Sequence, residues 1–120
     1  MHRAERMADV LREEITEIVG YELEDPRIQS VTVTDVRVAE NLRNASVYVL
    51  VDGTEKEITE ALLTLNRAAG FVRQQVALSL NLRYAPRLHF ARDTVEENAS
   101  RVDSVLRVLN LDGDSSEDSG

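Results

Sequence analysis

The sequence contains no cysteine and no tryptophan, and its aromatic residues are limited to two phenylalanines and three tyrosines. Without cysteine, the chain has neither disulfides nor thiolate metal ligands, which is compatible with a reducing compartment. No apolar run approaches the roughly 20 residues that a membrane-spanning helix needs. Residues 1–6 alternate in charge and lack the apolar region of a signal peptide. We therefore expect a cytoplasmic protein with an aliphatic core and no membrane contact.

Residue patterns typical of catalysis or of cofactor binding are absent too. The two histidines, His2 and His89, are far apart in the sequence. His89 alternates with Leu88 and Phe90, a setting in which histidine is more often a strand-face residue than a metal ligand. No Gly-rich phosphate loop, dinucleotide fingerprint or nucleophile elbow occurs. We expect no catalytic residues, no metal site and no cofactor.

The length of 120 residues fits a single domain. We expect residues 1–110 to form it. Residues 111–120 are acidic and contain no hydrophobic residue from Asp112 onward, which predicts a disordered acidic tail.

Hydrophobic periodicity predicts a first helix over residues 4–24, ended by Asp25 and Pro26 because the residue before proline avoids helical geometry. The β-branched run at residues 30–38 predicts a strand. Its valines change phase between Val33 and Val36. Either the strand contains a bulge near Asp35, or its two inner threonines share the covered face with the later valines.

Residues 39–44 are polar and predict a turn, after which residues 45–51 form a second strand and complete a hairpin. The odd-numbered residues of that strand, all alanine or valine, share one side. Thr54 and Glu57 have the spacing of a capping box and predict a helix start. That helix breaks or kinks at residues 68–70, because glycine is unfavourable inside a helix. It resumes at Phe71.

A short third strand is predicted at residues 88–91, followed by a last helix that Asp93 or Thr94 caps and whose apolar stripe runs to Leu109. The order is helix, strand, strand, helix, kink, helix, strand, helix. The hairpin and the helical crossover to the third strand predict an α+β domain.

The distribution of charge is the most informative feature. The net charge is −8, yet residues 61–92 contain no aspartate or glutamate. This acid-free stretch carries His89 and five arginines, and arginine forks onto phosphate and stacks on bases. It is either an ordinary helix pair with surface arginines or a face that binds RNA, and we favour RNA. The arginines are Arg67, Arg73, Arg83, Arg87 and Arg92.

The small residues Ala68, Ala69 and Gly70 lie within the acid-free stretch. Small residues allow another molecule's backbone to come close, and a helix starting at Phe71 would direct free amides toward a phosphate. The alternative is a kink needed only for packing.

Several segments resemble the ribosome-binding factor A family. They are residues 65–73 (LNRAAGFVR), 82–90 (LRYAPRLHF), 31–38 (VTVTDVRV), 12–15 (REEI) and 23–27 (LEDPR), and the match runs in order from about Arg3 to Leu109. The chain has only one lysine, Lys56, which is fewer than the family usually carries, and the tail after Leu109 matches no family pattern.

The resemblance implies a type II KH-like domain, a three-stranded mixed sheet with helices on one face. It also implies an Ala-x-Gly kink in place of the usual GxxG loop. The implied function is non-catalytic assistance in late maturation of the bacterial 30S subunit, with binding to the subunit and its 16S rRNA, a link to processing of the 16S rRNA 5′ end, and support of growth in the cold.

On these grounds the predicted RNA-binding residues are the kink, four arginines of the acid-free stretch and two arginines of the hairpin. We expect a monomer. The alternatives are a KH-like RNA-binding or protein–protein adaptor outside ribosome assembly, and an enzyme that processes rRNA directly. The predicted residues are Arg67, Ala68, Ala69, Gly70, Arg73, Arg83, Arg87, Arg37 and Arg43.

Overall fold

A computed structural model describes residues 3–21, 23 and 25–99 of the chain. The predicted tail at 111–120 and most of the predicted last helix lie outside these residues. In order, the elements are α1 (Arg3–Tyr21), a 3₁₀ turn (Pro26–Ile28), β1 (Val31–Val38), β2 (Asn44–Val51), α2 (Glu55–Arg67), α3 (Ala69–Ser79) and β3 (Arg87–Arg92). Residues 94–99 are also helical.

The three strands form one mixed sheet with β2 in the centre. β1 pairs with β2 antiparallel, whereas β3 pairs with β2 in parallel. A parallel partner requires a long crossover, and α2 and α3 supply it. This is the α+β architecture that the sequence predicted.

The first helix ends three residues before its predicted end. The amide of Leu23 donates to the carbonyl of Ile18 (3.2 Å), a bond across five residues that is typical of a helix terminus. The proline therefore begins the 3₁₀ turn instead of stopping α1. Asp25 caps that turn by accepting from the Arg27 amide at 2.9 Å. The Arg27 hydrogen bonds lower the pKa of Asp25 to about 2.

The phase shift of the valines is caused by a bulge, which was one of the two predicted alternatives. Val33 pairs with Val49 and Asp35 pairs with Tyr48, so Thr34 is the extra residue. The Thr34 hydroxyl donates to the carboxylate of Asp93. That hydrogen bond lowers the pKa of Asp93, which also caps the helix at 94–99 by accepting from the Glu96 amide.

The core lies between the sheet and the helices. The odd-numbered residues of β2, from Ala45 to Val51, are buried as predicted. Leu11 and Ile15 of α1 and Leu65 of α2 are also fully buried. The capping box of Thr54 and Glu57 is confirmed, with both reciprocal hydrogen bonds formed.

The middle of the β3 edge is bonded by one side chain, Asn66 at the end of α2. Its amide group accepts from the Phe90 N–H (2.9 Å) and donates to the Phe90 C=O (3.0 Å), as a neighbouring strand would. An open edge invites pairing with other chains. Asn66 thus satisfies the outward-facing backbone groups of Phe90 and links the end of α2 to the edge of the sheet.

Replacement of Asn66 by alanine should therefore lower the free energy of unfolding by about 2 to 4 kcal/mol, because two backbone groups at a largely buried position lose their partner. Urea unfolding measures the change. The matched control is Asn98→Ala at an exposed helical position, which should change stability by less than about 0.5 kcal/mol. Equal unfolding midpoints for both variants would contradict the role of Asn66.

Candidate nucleic-acid interface

Five arginines line one groove of about 870 Å³ at the end of the sheet where the hairpin turn lies. We call this the arginine groove. Its lining contains no aspartate or glutamate. The arginines are Arg3, Arg43, Arg73, Arg83 and Arg87, and the other lining residues are Met7, Asn41, Leu42, Asn44, Tyr84 and Ala85.

The turn between β1 and β2 carries one wall of the groove. Leu42 has a φ of 63°, a left-handed conformation that is unusual for a residue with a branched side chain. The Leu42 amide donates a hydrogen bond to the Ala39 carbonyl (2.8 Å), which closes the turn. The Asn41 side chain accepts a second hydrogen bond from the Arg43 amide (2.9 Å). The strained turn thereby fixes where Arg43 leaves the sheet.

The opposite wall is the segment between α3 and β3. The Arg87 amide donates to the Arg43 carbonyl at 2.8 Å, so this segment lies directly beside the turn. The half-buried Arg73 of α3 donates from Nε to the Ala85 carbonyl (2.9 Å). Arg83 and Arg87 are exposed. One bond of Arg73 is thus used to hold the wall in place.

No carboxylate of the described residues neutralises the charges of the groove. In the described part of the chain, none of its five arginines forms an ion pair, in contrast to Arg27, Arg37 and Arg92. Five like charges without counter-charges produce a local positive potential that favours anions. The groove is therefore suited to a polyanion, although the chain as a whole is acidic.

Arg92, the last arginine of the acid-free stretch, does not contribute to this potential. Its guanidinium lies 2.8 Å from Glu55 and 2.8 Å from Glu97. Hydrogen bonds to these two glutamates raise its pKa. Arg92 is therefore not an available positive charge, because Glu97, five residues further along the chain, and Glu55 of α2 neutralise it.

Arg37, predicted as a secondary RNA contact, also lies apart from the groove. It is exposed on β1, at 3.2 Å from Asp35. It lines a separate cavity of about 570 Å³ together with Asp35, Asp93 and Glu96. These carboxylates make that cavity unsuitable for phosphate.

The kink at residues 68–70 is not part of the groove lining. Ala68 alone separates α2 from α3, so α3 begins at Ala69, two residues earlier than predicted. The break is slight because the Ala68 amide still donates to Leu65 (3.1 Å) and its carbonyl still accepts from Val72 (3.0 Å). Arg67 is exposed at the end of α2, outside the groove.

The structure thus brings together Arg43, Arg73, Arg83 and Arg87 from the predicted set. Sequence reasoning missed Arg3 and Tyr84. Nothing local indicates Arg3, which reaches the groove only because the start of α1 lies near the hairpin turn. Tyr84 carried a signal, since it is an aromatic residue directly after an arginine in an acid-free stretch.

The described residues include no group of three or more histidine, aspartate or glutamate side chains that could hold a metal ion. In the same part of the chain, no helix combines the length and apolar character needed to cross a membrane.

Comparison with known proteins identifies the family of this chain. The family model for ribosome-binding factor A matches residues 3–106. A ribosome-binding factor A from Desulfitobacterium hafniense is 44% identical over 106 residues, which cover 88% of this chain and 85% of the relative.

A crystal structure and a fitted homology model of a relative are similar to this chain. The crystal structure of ribosome-binding factor A from Thermus thermophilus superposes with a TM-score of 0.66 at 30% identity, covering 76% of this chain and 97% of the other. A homology model of the Thermus thermophilus factor, fitted into a cryo-electron microscopy map of its complex with the 30S subunit, has a TM-score of 0.60 at 32% identity and covers 70% and 88% of the two chains. This chain belongs to the ribosome-binding factor A family.

Proposed function

We propose that this protein binds the bacterial 30S ribosomal subunit and holds 16S rRNA through phosphates seated in the arginine groove. The observation that carries the proposal is the convergence of five arginines, none with a carboxylate partner among the described residues, on a chain of net charge −8. The complex of the Thermus thermophilus relative with a 30S subunit supports the choice of partner. The chain acts as a cytoplasmic monomer that assists late maturation of the subunit, including processing of the 16S rRNA 5′ end.

The chemistry of the groove favours holding over catalysis. A guanidinium donates up to five hydrogen bonds and stays protonated at any physiological pH. It therefore binds phosphate oxygens well and cannot act as a general base. Binding energy that favours one rRNA arrangement is then the means by which the protein promotes maturation.

The kink extends the proposed contact along α3. Gly70 is exposed, and a Cβ added to it would meet no atom within 4 Å. Nothing in the fold therefore requires glycine at this position. Gly70 and Arg73 are three residues apart in α3 and share one side of the helix. We infer that the rRNA backbone passes close to Gly70 before it enters the groove.

A protein–protein adaptor is the competing function, with the groove binding an acidic protein. Binding to rRNA and binding to an acidic protein differ in how strongly the affinity depends on salt concentration. Phosphate binding releases condensed counterions. The logarithm of the affinity for rRNA should therefore fall steeply and linearly with the logarithm of the salt concentration.

Reversing two groove charges with Arg83→Glu and Arg87→Glu should weaken binding to 30S subunits by at least about tenfold. The slope of log Kd against log salt should also fall by about 2, one for each phosphate that is no longer bound. Both residues are exposed, so the fold should tolerate the changes. Fluorescence anisotropy of labelled protein titrated with 30S subunits measures both quantities.

The control for this double variant is Arg12→Glu combined with Lys56→Glu, which makes the same change in net charge at exposed positions outside the groove. It should bind nearly as tightly as the parent protein. If the two double variants lose affinity equally, general charge and not the groove governs binding.

Replacing Gly70 by alanine separates fold from function at the kink. Because the added methyl group meets no neighbour and alanine favours helix, the variant should be more stable by about 0.5 to 1 kcal/mol. If rRNA approaches Gly70 closely, the same variant binds 30S subunits more weakly. Urea unfolding and anisotropy on one preparation measure both, and unchanged affinity would exclude close approach at Gly70.

A further inference from the structure

We propose that Tyr84 is a specificity-determining residue that stacks on an unpaired nucleobase of the RNA held in the arginine groove. The site then prefers single-stranded or looped RNA to a continuous duplex. This inference rests on the proposed function, because it assigns to the same groove the class of RNA that the groove accepts.

The first observation is that Tyr84 is exposed although the segment around it is anchored. Its side chain is 76% exposed. On one side, the Leu82 amide donates to the Ala77 carbonyl at 2.8 Å. On the other, Ala85 and Pro86 are buried, and the Ala85 carbonyl accepts from Arg73. The ring is therefore presented to solvent by a segment that is itself held in place.

A preformed position matters for recognition. A side chain whose backbone is already fixed loses less conformational freedom on binding, so more of the stacking energy appears as affinity. A tyrosine has only two side-chain torsions and offers a large contact area with little loss of entropy. Tyr84 thus meets the requirements of a stacking residue.

The second observation is the electrostatic setting of the ring. The Arg83 guanidinium lies 5.7 Å from the centroid of the Tyr84 ring, within the range of a cation–π contact. Arginine and aromatic planes are the two surfaces on which RNA-binding proteins stack unpaired bases. Both belong to the lining of the groove, so a base on Tyr84 would have its phosphates within the same positive groove.

Tyr21 shows that exposure alone does not produce this setting. It is 81% exposed at the end of α1. It lines two cavities, one with Glu13 and Glu17 and the other with Asp25, and these carboxylates repel phosphate. Tyr21 therefore provides a matched control for the removal of an exposed ring.

The geometry points to an unpaired nucleotide because both faces of a base inside a duplex are covered by its neighbours. Only single strands, loops, bulges and ends expose a base face to an aromatic side chain. The groove volume of about 870 Å³ is within the range of pockets that enclose small organic ligands, so a base and its sugar can be accommodated.

The first test compares the parent protein with Tyr84→Ala, Tyr84→Phe and the control Tyr21→Ala. The probes are 30S subunits, a labelled RNA single strand of about 12 nucleotides, the duplex of that strand with its complement, and an abasic strand of the same length. This length is within the range of ordinary single-strand binding sites. Tyr84→Ala should weaken binding to 30S subunits and to the single strand by about fivefold to a hundredfold. It should leave binding to the duplex and to the abasic strand unchanged. Tyr84→Phe and Tyr21→Ala should bind like the parent.

The second test uses the absence of tryptophan from the chain. Tyr84→Trp places the single tryptophan of the chain at the proposed stacking position. Its fluorescence, excited selectively above the tyrosine absorption, should be quenched by the single strand and much less by the abasic strand. Circular dichroism and thermal unfolding verify that each variant keeps the parent fold.

The results distinguish this inference from the proposed function. If the groove variant with Arg83→Glu and Arg87→Glu binds 30S subunits like the parent, the proposed function fails. If that variant loses affinity while Tyr84→Ala binds 30S subunits and single strands like the parent, groove binding holds and the stacking role is excluded. Equal weakening of single-strand and duplex binding by Tyr84→Ala would also overturn it, because the ring would then act without reading an exposed base.

Discussion

The parallel pairing of β3 with β2 is the constraint on which the candidate site depends. The first bond of this pairing, from the Arg87 amide to the Arg43 carbonyl, places the end of the α3–β3 segment beside the hairpin turn. A parallel strand cannot be reached by a tight turn. The chain therefore crosses over through α2 and α3, and the same crossover carries Arg73 to the groove.

The distribution of acids around this framework makes an acidic protein suitable for a polyanionic partner. Glu55 and Glu97 neutralise Arg92 at the far end of β3, and Asp35 pairs with Arg37 on the outer strand. At physiological ionic strength charges are screened over roughly 8 Å. The groove thus acts on a bound phosphate as a local positive site, whereas the distant acids oppose non-specific binding.

Three residues are in settings that packing alone does not favour. Leu42 adopts a left-handed φ, and such conformations usually persist where surrounding structure imposes them at functional sites. Gly70 occupies a helical position that would accept a methyl group. Tyr84 leaves most of its ring in solvent. Leu42 and Tyr84 line the groove together with its five arginines, which form no ion pair in the described part of the chain, and a ligand bound there would account for both settings.

The sequence by itself determined the elements and the charge segregation. The capping box at Thr54 and the hairpin at residues 39–44 follow from short-range patterns, since local spacing encodes helix starts and turns. The acid-free stretch is likewise visible in the sequence. The valine pattern of β1 left two alternatives, a bulge or threonines on the covered face. Only the pairing with β2 shows that the strand contains the bulge.

The tertiary structure decided which of these residues act together. Arg3 and Arg43 line the groove although they lie outside the acid-free stretch. Arg92 lies within the stretch, but glutamates from two other elements form ion pairs with its guanidinium. Asn66, inconspicuous in the sequence, bonds both outward backbone groups of Phe90 at the edge of the sheet. Helices and strands reflect periodicities of a few residues, but convergence depends on strand order, register and crossover length. Strand order, register and crossover length bring together residues that are tens of positions apart in the sequence. No local sequence pattern specifies these long-range relations.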